Sequence, residues 1–562
     1  MSTAPPPSSG LLASSIASAS SLVALQAFSR LFTFALNQAL FRLASPSAFG
    51  AAAIQFELVL STILFLSREG VRNALLRASY SDSSSDTAIR RANVAFVPVA
   101  VGIPLALGTS VVYARHASGE MRAQPGFDGA VAVYALAAVV ELLSEPFYNV
   151  AMTSLKTGVR VRAEGLGITF KSVTTFLVLL YDSRWGSGDL ALLAFALGQL
   201  VYSAVMFGAY LLYLGSEYVR PKSPSSSKPS LLSYFDHDVL RLSLTMTTQS
   251  LVKHFLTEGD KMILSWFSPL HDQGGYAIAV NYGSLIARII FQPIEETLRL
   301  FFSRTLGSST TSDSSTTIKF KSNTEEPQLE LLQAASTLRS LLSVQLSFSL
   351  ILLVFGTAYL PVLLPLLLPR QYLATSAPSV LTAWVWYIPV LAVNGGLEAF
   401  LSSVASSKDL NEQSRWMVGF STVYILSAIS LYRLGFGDAS LVYANILNLS
   451  ARIVYCLRFA TSFFMHSKPT SLNSKPLFRW QDTLPPKSLF AISAFSAIVV
   501  YASDVRLGTD ALTAKLGRAA LTNPSVVLHV GLGGLLTVGC LLMWWVSAGQ
   551  YLKLPSQHKK ME

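Results

Sequence analysis

The fold of this protein is decided by residues 249–304, which read QSLVKHFLTEGDKMILSWFSPLHDQGGYAIAVNYGSLIARIIFQPIEETLRLFFSR. Two long apolar segments, 249–267 and 274–302, flank a break at Ser268–Pro269. Each segment is long enough to cross a bilayer as a helix. Both also contain charged side chains, and each charge placed in hydrocarbon costs roughly 2.5–3.5 kcal/mol on insertion scales. We therefore expect these charges to face a polar cavity, where they bind a ligand, or to pair with one another and hold two helices together.

The whole chain has the composition of a helical membrane protein. Of its 562 residues, 51% are hydrophobic and 13% are charged, whereas soluble domains average about 25% charged residues. The mean hydropathy is +0.47. The formal charge of +11 therefore bears on membrane topology and on anionic lipid, and nucleic acid is not an expected partner.

Apolar runs of about 20 residues recur along the chain and predict an all-α polytopic protein with about fourteen membrane spans. The predicted spans lie near 21–43, 49–67, 93–114, 129–150, 163–182, 189–214, 242–267, 274–302, 337–359, 376–403, 415–432, 439–460, 487–503 and 524–547. The Pro-rich stretch 361–369 is a candidate re-entrant or interfacial segment.

Basic residues concentrate in alternate loops and predict the orientation of the chain. The loops after spans two, four and six are rich in arginine and lysine, among them Arg77, Arg90, Arg91, Lys156, Arg160, Arg220 and Lys228. The intervening loops have fewer basic residues. By the positive-inside rule, both termini are expected to be cytosolic.

A weak internal repeat predicts two halves that run in the same direction. Gln26–Arg30 aligns with Gln249–Lys253, and at the same offset Ser45–Pro46 aligns with Ser268–Pro269. A repeat of this kind is a common transporter plan, in which the substrate is held between the halves. We therefore expect two six-helix lobes related by a pseudo-two-fold axis, with two extra helices at the C-terminal end.

The predicted domain boundaries follow from these halves and from Ser-rich, weakly apolar linkers. They are 1–20 for a disordered cytosolic N-terminus, 21–214 for the N-lobe, 215–241 for a cytosolic linker, 242–460 for the C-lobe with a disordered loop at 303–335, and 461–562 for a cytosolic loop, spans thirteen and fourteen and a cytosolic tail.

Three cations are candidate ligands for an anionic group. Arg30 and Lys253 occupy equivalent positions in the first helix of each half, and Arg288 lies in the following helix of the second half. Facing cations repel one another unless an anion lies between them, and the guanidinium fork binds phosphate oxygens in bidentate fashion. A pyrophosphate therefore fits. The alternative is that Arg30 extends to the membrane surface and that Lys253 pairs with Glu57 or Glu258.

Other charged residues have two interpretations each. Arg68 is a fourth candidate ligand, although positive-inside charge alone would explain both Arg68 and Arg72 at the cytosolic end of span two. Glu141 and Glu145 stand one helical turn apart before Pro146, where they either accept protons or pack a helix end. The acidic candidates for a polar cavity are Glu57, Glu258, Glu295 and Glu398.

Signals for catalysis are weak. The triplets Glu258-Gly-Asp260 and Asp236-His-Asp238 match the acidic pair of membrane glycosyltransferases, but the first lies within a predicted helix and the second on the predicted cytosolic side. The sequence has no Walker A loop and no metal-ligand spacing. We therefore predict no catalytic residue, cofactor or metal, and a membrane glycosyltransferase is the alternative from another class.

Several longer blocks resemble the Rft family of endoplasmic reticulum membrane proteins. The resemblance covers about 20–460 and is carried by Leu25–Arg72 with its ending Arg68-Glu-Gly-Val-Arg72, and by the blocks Glu141–Phe147, Leu256–Lys261, Gly283–Arg288, Phe291–Glu296 and Asn394–Glu398. It implies the exporter superfamily that also contains lipid II flippases, with two six-helix lobes around a central cavity and a lipid groove beside two extra helices.

The resemblance also implies a function, a partner and a location. The expected activity is movement of a dolichyl-pyrophosphate oligosaccharide, with five mannoses and two N-acetylglucosamines, from the cytosolic to the luminal leaflet of the endoplasmic reticulum. An accessory protein that binds or presents this lipid without moving it is the alternative. The expected partners are the glycolipid and the surrounding membrane lipids, and the protein is expected to act as a monomer.

Overall fold

The computed structural model describes residues 36–77, 85–154, 156–215, 220–221, 234–307, 325–466 and 476–548. Within these ranges the chain is helical and contains no β-strand. Twelve helices in this part of the chain are long and apolar enough to cross a membrane. The prediction of an all-α polytopic membrane protein is therefore confirmed.

The chain divides into two compact units, Met1–Ala277 and Ile278–Glu562. The first unit contains α1 (Pro46–Arg77), α2 (Asp86–His116), α3 (Phe127–Thr153), α4 (Thr157–Trp185), α5 (Ala191–Leu214) and α6 (His237–Phe267). Helix α7 (Leu270–Leu306) begins in the first unit and continues into the second. The second unit also contains α8 (Glu330–Leu367), α9 (Ala377–Val404), α10 (Lys408–Phe436), α11 (Ala439–Met465), α12 (Lys487–Leu507) and α13 (Pro524–Ser547).

Each of the twelve candidate spans overlaps one span predicted from the sequence. The predicted first span, 21–43, falls mostly outside the described residues, and the predicted seventh, 242–267, coincides with the charged helix α6. The Pro-rich stretch is the end of α8, which continues through Pro361 and Pro365 to Leu367. Proline is tolerated there because neighbouring groups satisfy the backbone atoms that it frees within a membrane helix.

Helices α1 and α6 pack closely along one another in the first unit. Ser45 caps α1 by accepting a hydrogen bond from the Ala48 backbone at 3.2 Å, and Pro46 fits the first turn because its ring is already set for a helix. At the other end, a Cβ atom at Gly70 would overlap the Ser243 carbonyl and the Thr247 side chain of α6. Glycine at this position lets the two helices approach each other.

The second unit has its own apolar core. Phe302, Phe400 and Phe464 are buried, and the Phe400 ring lies 5.1 Å from Phe302 and 5.2 Å from Phe464 between ring centroids. Helices α12 and α13 pack on α8 through a second cluster formed by Ile351, Phe355, Leu489, Val500, Cys540 and Trp544. The last two predicted spans are thus packed against α8.

Candidate functional site

One face of α1 lines a polar cavity of about 540 Å³ within the first unit. The α1 residues on this face are spaced three or four apart, which places them in one stripe along the helix. They are Glu57, Leu60, Ser61, Leu64, Phe65, Arg68, Glu69 and Arg72. The remaining walls come from α3, α4, α5 and α6, and their lining residues are Glu141, Ile168, Lys171, Gln199, Tyr202, His254, Thr257 and Glu258. We call this the α1 cavity.

Arg68 lies in an ion-pair cluster at one end of the stripe. Its Nη1 donates to Glu141 Oε1 at 2.8 Å and to Glu145 Oε1 at 3.2 Å. The Glu141 side chain is 5% exposed and the Glu145 side chain is 0% exposed. Carboxylates at such burial are stable only when they are paired. The packing of α3 against α1 therefore requires Arg68, which also lines the cavity.

Arg72 completes the cluster from the next turn of α1. Its Nε donates to Glu145 Oε2 at 2.8 Å and its Nη2 donates to Glu145 Oε1 at 2.5 Å, which is the bidentate geometry of a strong arginine–carboxylate pair. The guanidinium also lies 3.6 Å from the ring centroid of Tyr148, within cation–π range. Glu141 and Glu145 are thus the counter-ions of Arg68 and Arg72. Positive-inside charge alone does not explain the two arginines.

A hydrogen-bonded chain extends the cluster across α4 and α5. Gln199 is 3% exposed, and its Nε2 donates to Glu141 Oε2 at 3.4 Å. Lys171 Nζ donates to Gln199 Oε1 at 2.6 Å. An ammonium group inside a membrane span is costly, and here it reaches the carboxylate cluster through the Gln199 amide.

The wall formed by α6 has a different character. The His254 ring stacks on Phe65 with 4.2 Å between centroids, and its Nε2 lies 3.1 Å from Thr62 Oγ1. Glu258 pairs with Lys261 at 2.9 Å between Oε2 and Nζ. The α1 cavity therefore has an arginine–carboxylate cluster near Arg68 and acidic, hydroxyl and apolar side chains along the rest of its walls, a lining that offers partners to a ligand with both an anion and many hydroxyls.

The predicted site residues are brought together only in part. Arg68, Glu57 and Glu258 all line the α1 cavity. Arg30 lies outside the described residues, and so does the side chain of Lys253, whose backbone belongs to α6.

The other predicted residues belong to the second unit. Arg288 is exposed in a π-helical turn, Ala287–Phe291, and its Nη2 donates to the Asn281 carbonyl at 3.1 Å. Glu295 lies against Gly395, where a Cβ atom would overlap its carboxylate. Glu398 pairs with Arg452, whose Nε lies 2.9 Å from Glu398 Oε1. π-Helical turns are frequent at functional sites, which keeps Arg288 of interest.

Sequence reasoning did not assign Lys171, Gln199, Tyr202 and His254 to the site. A signal for the first two was available, since a lysine and a glutamine within predicted membrane spans are costly unless they face a cavity or a partner. The three-and-four spacing of charged residues on α1 was a second signal. Among the described residues, no group of three or more His, Cys, Asp or Glu side chains is arranged to hold a metal.

Comparison with known proteins agrees with this architecture. The family model described as Rft protein matches residues 14–557. A Yarrowia lipolytica protein named Man(5)GlcNAc(2)-PP-dolichol translocation protein RFT1 is 34% identical over 509 residues, covering 82% of this chain and 72% of the relative. Its Schizosaccharomyces pombe namesake is 31% identical over 527 residues, covering 88% and 95%.

A solved structure shares the fold. The lipid II flippase MurJ in an inward closed conformation superposes with a TM-score of 0.57 at 12% identity, over 93% of this chain and 99% of MurJ. At that identity the likeness concerns the fold alone. The family model and the relatives extend over most of the chain, and the protein belongs to the Rft family.

Proposed function

We propose that this protein moves a dolichyl-pyrophosphate-linked oligosaccharide, with five mannoses and two N-acetylglucosamines, from the cytosolic to the luminal leaflet of the endoplasmic reticulum membrane for protein N-glycosylation. It does so as a monomer and without catalysis. The names of its relatives support this substrate. The observation that carries the proposal is the α1 cavity, a polar space of about 540 Å³ among apolar membrane helices.

The physical need for such a cavity is simple. A headgroup rich in hydroxyls cannot cross roughly 30 Å of hydrocarbon without leaving its polar groups unsatisfied. Carboxylates and amides of the cavity accept and donate the hydrogen bonds that water otherwise supplies. The arginine fork of Arg68 suits the pyrophosphate. The dolichyl chain stays outside this cavity throughout.

The architecture that we propose for this activity has fourteen spans and two six-helix lobes, 21–214 and 242–460, related by a pseudo-two-fold axis. Both termini are cytosolic. Two observations support the higher span count: residues 36–43 are helical at the end of the predicted first span, and α6 occupies the predicted seventh. Cysteine accessibility from each side of the membrane tests the orientation, and a luminal N-terminus would contradict it.

The test of function is translocation by the purified full-length protein in liposomes. A fluorescent glycolipid of this class is incorporated in both leaflets, and a membrane-impermeant quencher reports the fraction that exchanges. We expect quenching to proceed beyond the outer leaflet only when protein is present. Binding without translocation would instead support an accessory protein that presents the lipid, and consumption of the glycolipid with a sugar acceptor would support a glycosyltransferase.

Arg288→Ala is expected to weaken glycolipid binding at least tenfold, because Arg288 remains a predicted ligand of the pyrophosphate and a charge-assisted hydrogen bond contributes about 1.5–3 kcal/mol. Arg288→Lys should restore only part of the affinity, since an ammonium keeps the charge but loses the planar fork. The matched control is Arg433→Ala, because Arg433 is also exposed in a π-helical turn, Tyr432–Phe436, of the second unit. Equal effects of the two alanine variants on binding would make Arg288 a structural residue.

The groove between α8 and α13 is the proposed site of the dolichyl chain. It measures about 210 Å³ and is lined by Tyr359, Val362, Leu363, Val530, Gly533, Gly534 and Thr537. A Cβ atom at Gly534 would meet no atom within 4 Å, so Gly534→Leu fills the groove without a backbone clash. We expect affinity for the glycolipid to fall about tenfold, because each displaced methylene contributes about 0.8 kcal/mol.

The control for this groove is Gly531→Leu. Gly531 lies on the same helix, has the same open surroundings and is absent from the lining of the groove. Glycolipid binding is measured for both variants in detergent. Unchanged binding by Gly534→Leu would mean that α12 and α13 only support α8.

A further inference from the structure

We propose that Glu141 is the positioning residue that limits how tightly the α1 cavity holds an anionic headgroup, so that the headgroup is released again. This inference rests on the proposed function and deepens it. It assigns different roles to two carboxylates that lie one helical turn apart and bind the same arginine.

The two carboxylates differ in what they face. Glu145 is 0% exposed, is absent from the cavity lining and receives hydrogen bonds from both Arg68 and Arg72. Glu141 lines the cavity, and within the described ranges its carboxylate accepts from Arg68 at 2.8 Å and from Gln199 at 3.4 Å. Glu145 therefore holds α3 to α1, whereas Glu141 places a negative charge at the cavity wall.

Arg68 is held in a way that leaves it able to bind an anion. Both carboxylates bind its Nη1, and among the described residues no hydrogen bond involves its Nε or Nη2. One edge of the guanidinium fork is thus available to two phosphate oxygens, which is the bidentate geometry that arginine favours. An anion can bind this edge while Glu141 stays in place, and it is then repelled by the Glu141 charge nearby.

The charge balance of the cluster gives the direction of the effect. Arg68, Arg72 and Lys171 stand against Glu141 and Glu145 in the cluster, while the cavity lining adds Glu57, Glu69 and Glu258, the last of which pairs with Lys261. The cations therefore do not outnumber the carboxylates, and it is the open edge of the Arg68 fork that binds an anion. In a cleft with low-dielectric walls, removing the Glu141 charge lowers the repulsion that this anion meets. Transport requires a site that binds well enough to fill and weakly enough to empty, as in other membrane pathways.

The test is Glu141→Gln in the purified full-length protein, with farnesyl pyrophosphate as the anionic probe. Glutamine keeps the size of the side chain and an oxygen that accepts from Arg68. We expect binding about tenfold tighter than in the wild-type protein, with a steeper loss of affinity as salt is added. Glycolipid translocation in liposomes should become slower, because release is impaired. This opposite change in affinity and rate is not expected from a merely structural residue.

Glu164→Gln is the matched control. Glu164 pairs with Arg160 at 2.8 Å in a half-buried pair on α4, outside the cavity lining, and we expect neither affinity nor rate to change. Lys171→Met probes the same charge balance with the opposite sign and leaves the Arg68 pairs intact, so it should weaken binding about tenfold.

The outcomes separate this inference from the proposed function. Unchanged or weaker binding by Glu141→Gln overturns the role of Glu141 while wild-type translocation stands. If the Glu141→Gln protein does not accumulate, the Lys171→Met variant provides the test. Unchanged binding of farnesyl pyrophosphate by Lys171→Met then overturns the inference. Absence of translocation by the wild-type protein overturns the proposed function itself.

Discussion

Arg68→Gln is expected to lower the affinity for farnesyl pyrophosphate about 100-fold and to abolish glycolipid translocation, because it removes a guanidinium whose Nε and Nη2 make no hydrogen bond among the described residues. Hydrogen bonds to charged groups contribute about 1.5–3 kcal/mol each, and the fork is expected to make two. Binding is measured by calorimetry, and translocation is measured in liposomes.

This variant also removes the main counter-ion of Glu141, whose side chain is 5% exposed. A loss of function by misfolding is therefore a competing explanation. The double variant Arg68→Gln with Glu141→Gln removes both charges, and a neutral pair leaves no uncompensated buried carboxylate. We expect the double variant to regain thermal stability without regaining binding. Wild-type affinity in the stable double variant would show that Arg68 has only a structural role.

Glu145→Gln is expected to destabilise the folded protein by about 3–5 kcal/mol, because it leaves Arg72 without a counter-ion in a buried pair. Glu145 accepts three hydrogen bonds from two arginines, and its side chain is 0% exposed. The free energy of unfolding is measured by denaturant titration in detergent. Most of the loss should appear as separation of α3 from α1, reported by protease sensitivity.

Glu164→Gln serves as control here as well, since Glu164 and Arg160 form a half-buried pair four residues apart on one helix, and helix pairs at this spacing contribute only about 0.3–0.5 kcal/mol. Equal small losses in the two variants would mean that the cluster around Arg68 is solvated and not structural.

The candidate site was predictable only as a set of charged residues. Intramembrane charge in the sequence is sufficient to select Glu57 and Glu258, because each is too costly to face lipid, whereas Arg68 lies at the cytosolic end of a predicted span. It is not sufficient to choose between the two interpretations of Arg68 and Arg72. That choice depends on whether α3 approaches α1 closely enough for Glu141 and Glu145 to reach them, and the packing of two helices far apart in sequence is not a local property.

Lys171 and Gln199 illustrate the same limit. Each lies among mostly apolar neighbours in a predicted membrane span, and the sequence does not tell which residue on another helix it faces. In the structure they join Glu141 through one amide, with 2.6 Å between Lys171 Nζ and Gln199 Oε1. The free-energy cost of burying these two side chains indicated that they matter. Their role became clear only from the side chains that they contact in the structure.

By itself, the sequence determined the class of the protein and the position of the twelve candidate spans among the described residues, because hydrophobic length is a local property that the thickness of the bilayer selects directly. Its family followed from blocks of residues in a chain that the family model matches over 14–557. The tertiary structure alone decided which charges pair, which carboxylate faces the cavity and that Gly70 lets α6 approach α1. The physical reason is that the free energy of a buried charge depends on the few ångströms that separate it from a counter-ion. Those distances are set by how the helices pack together.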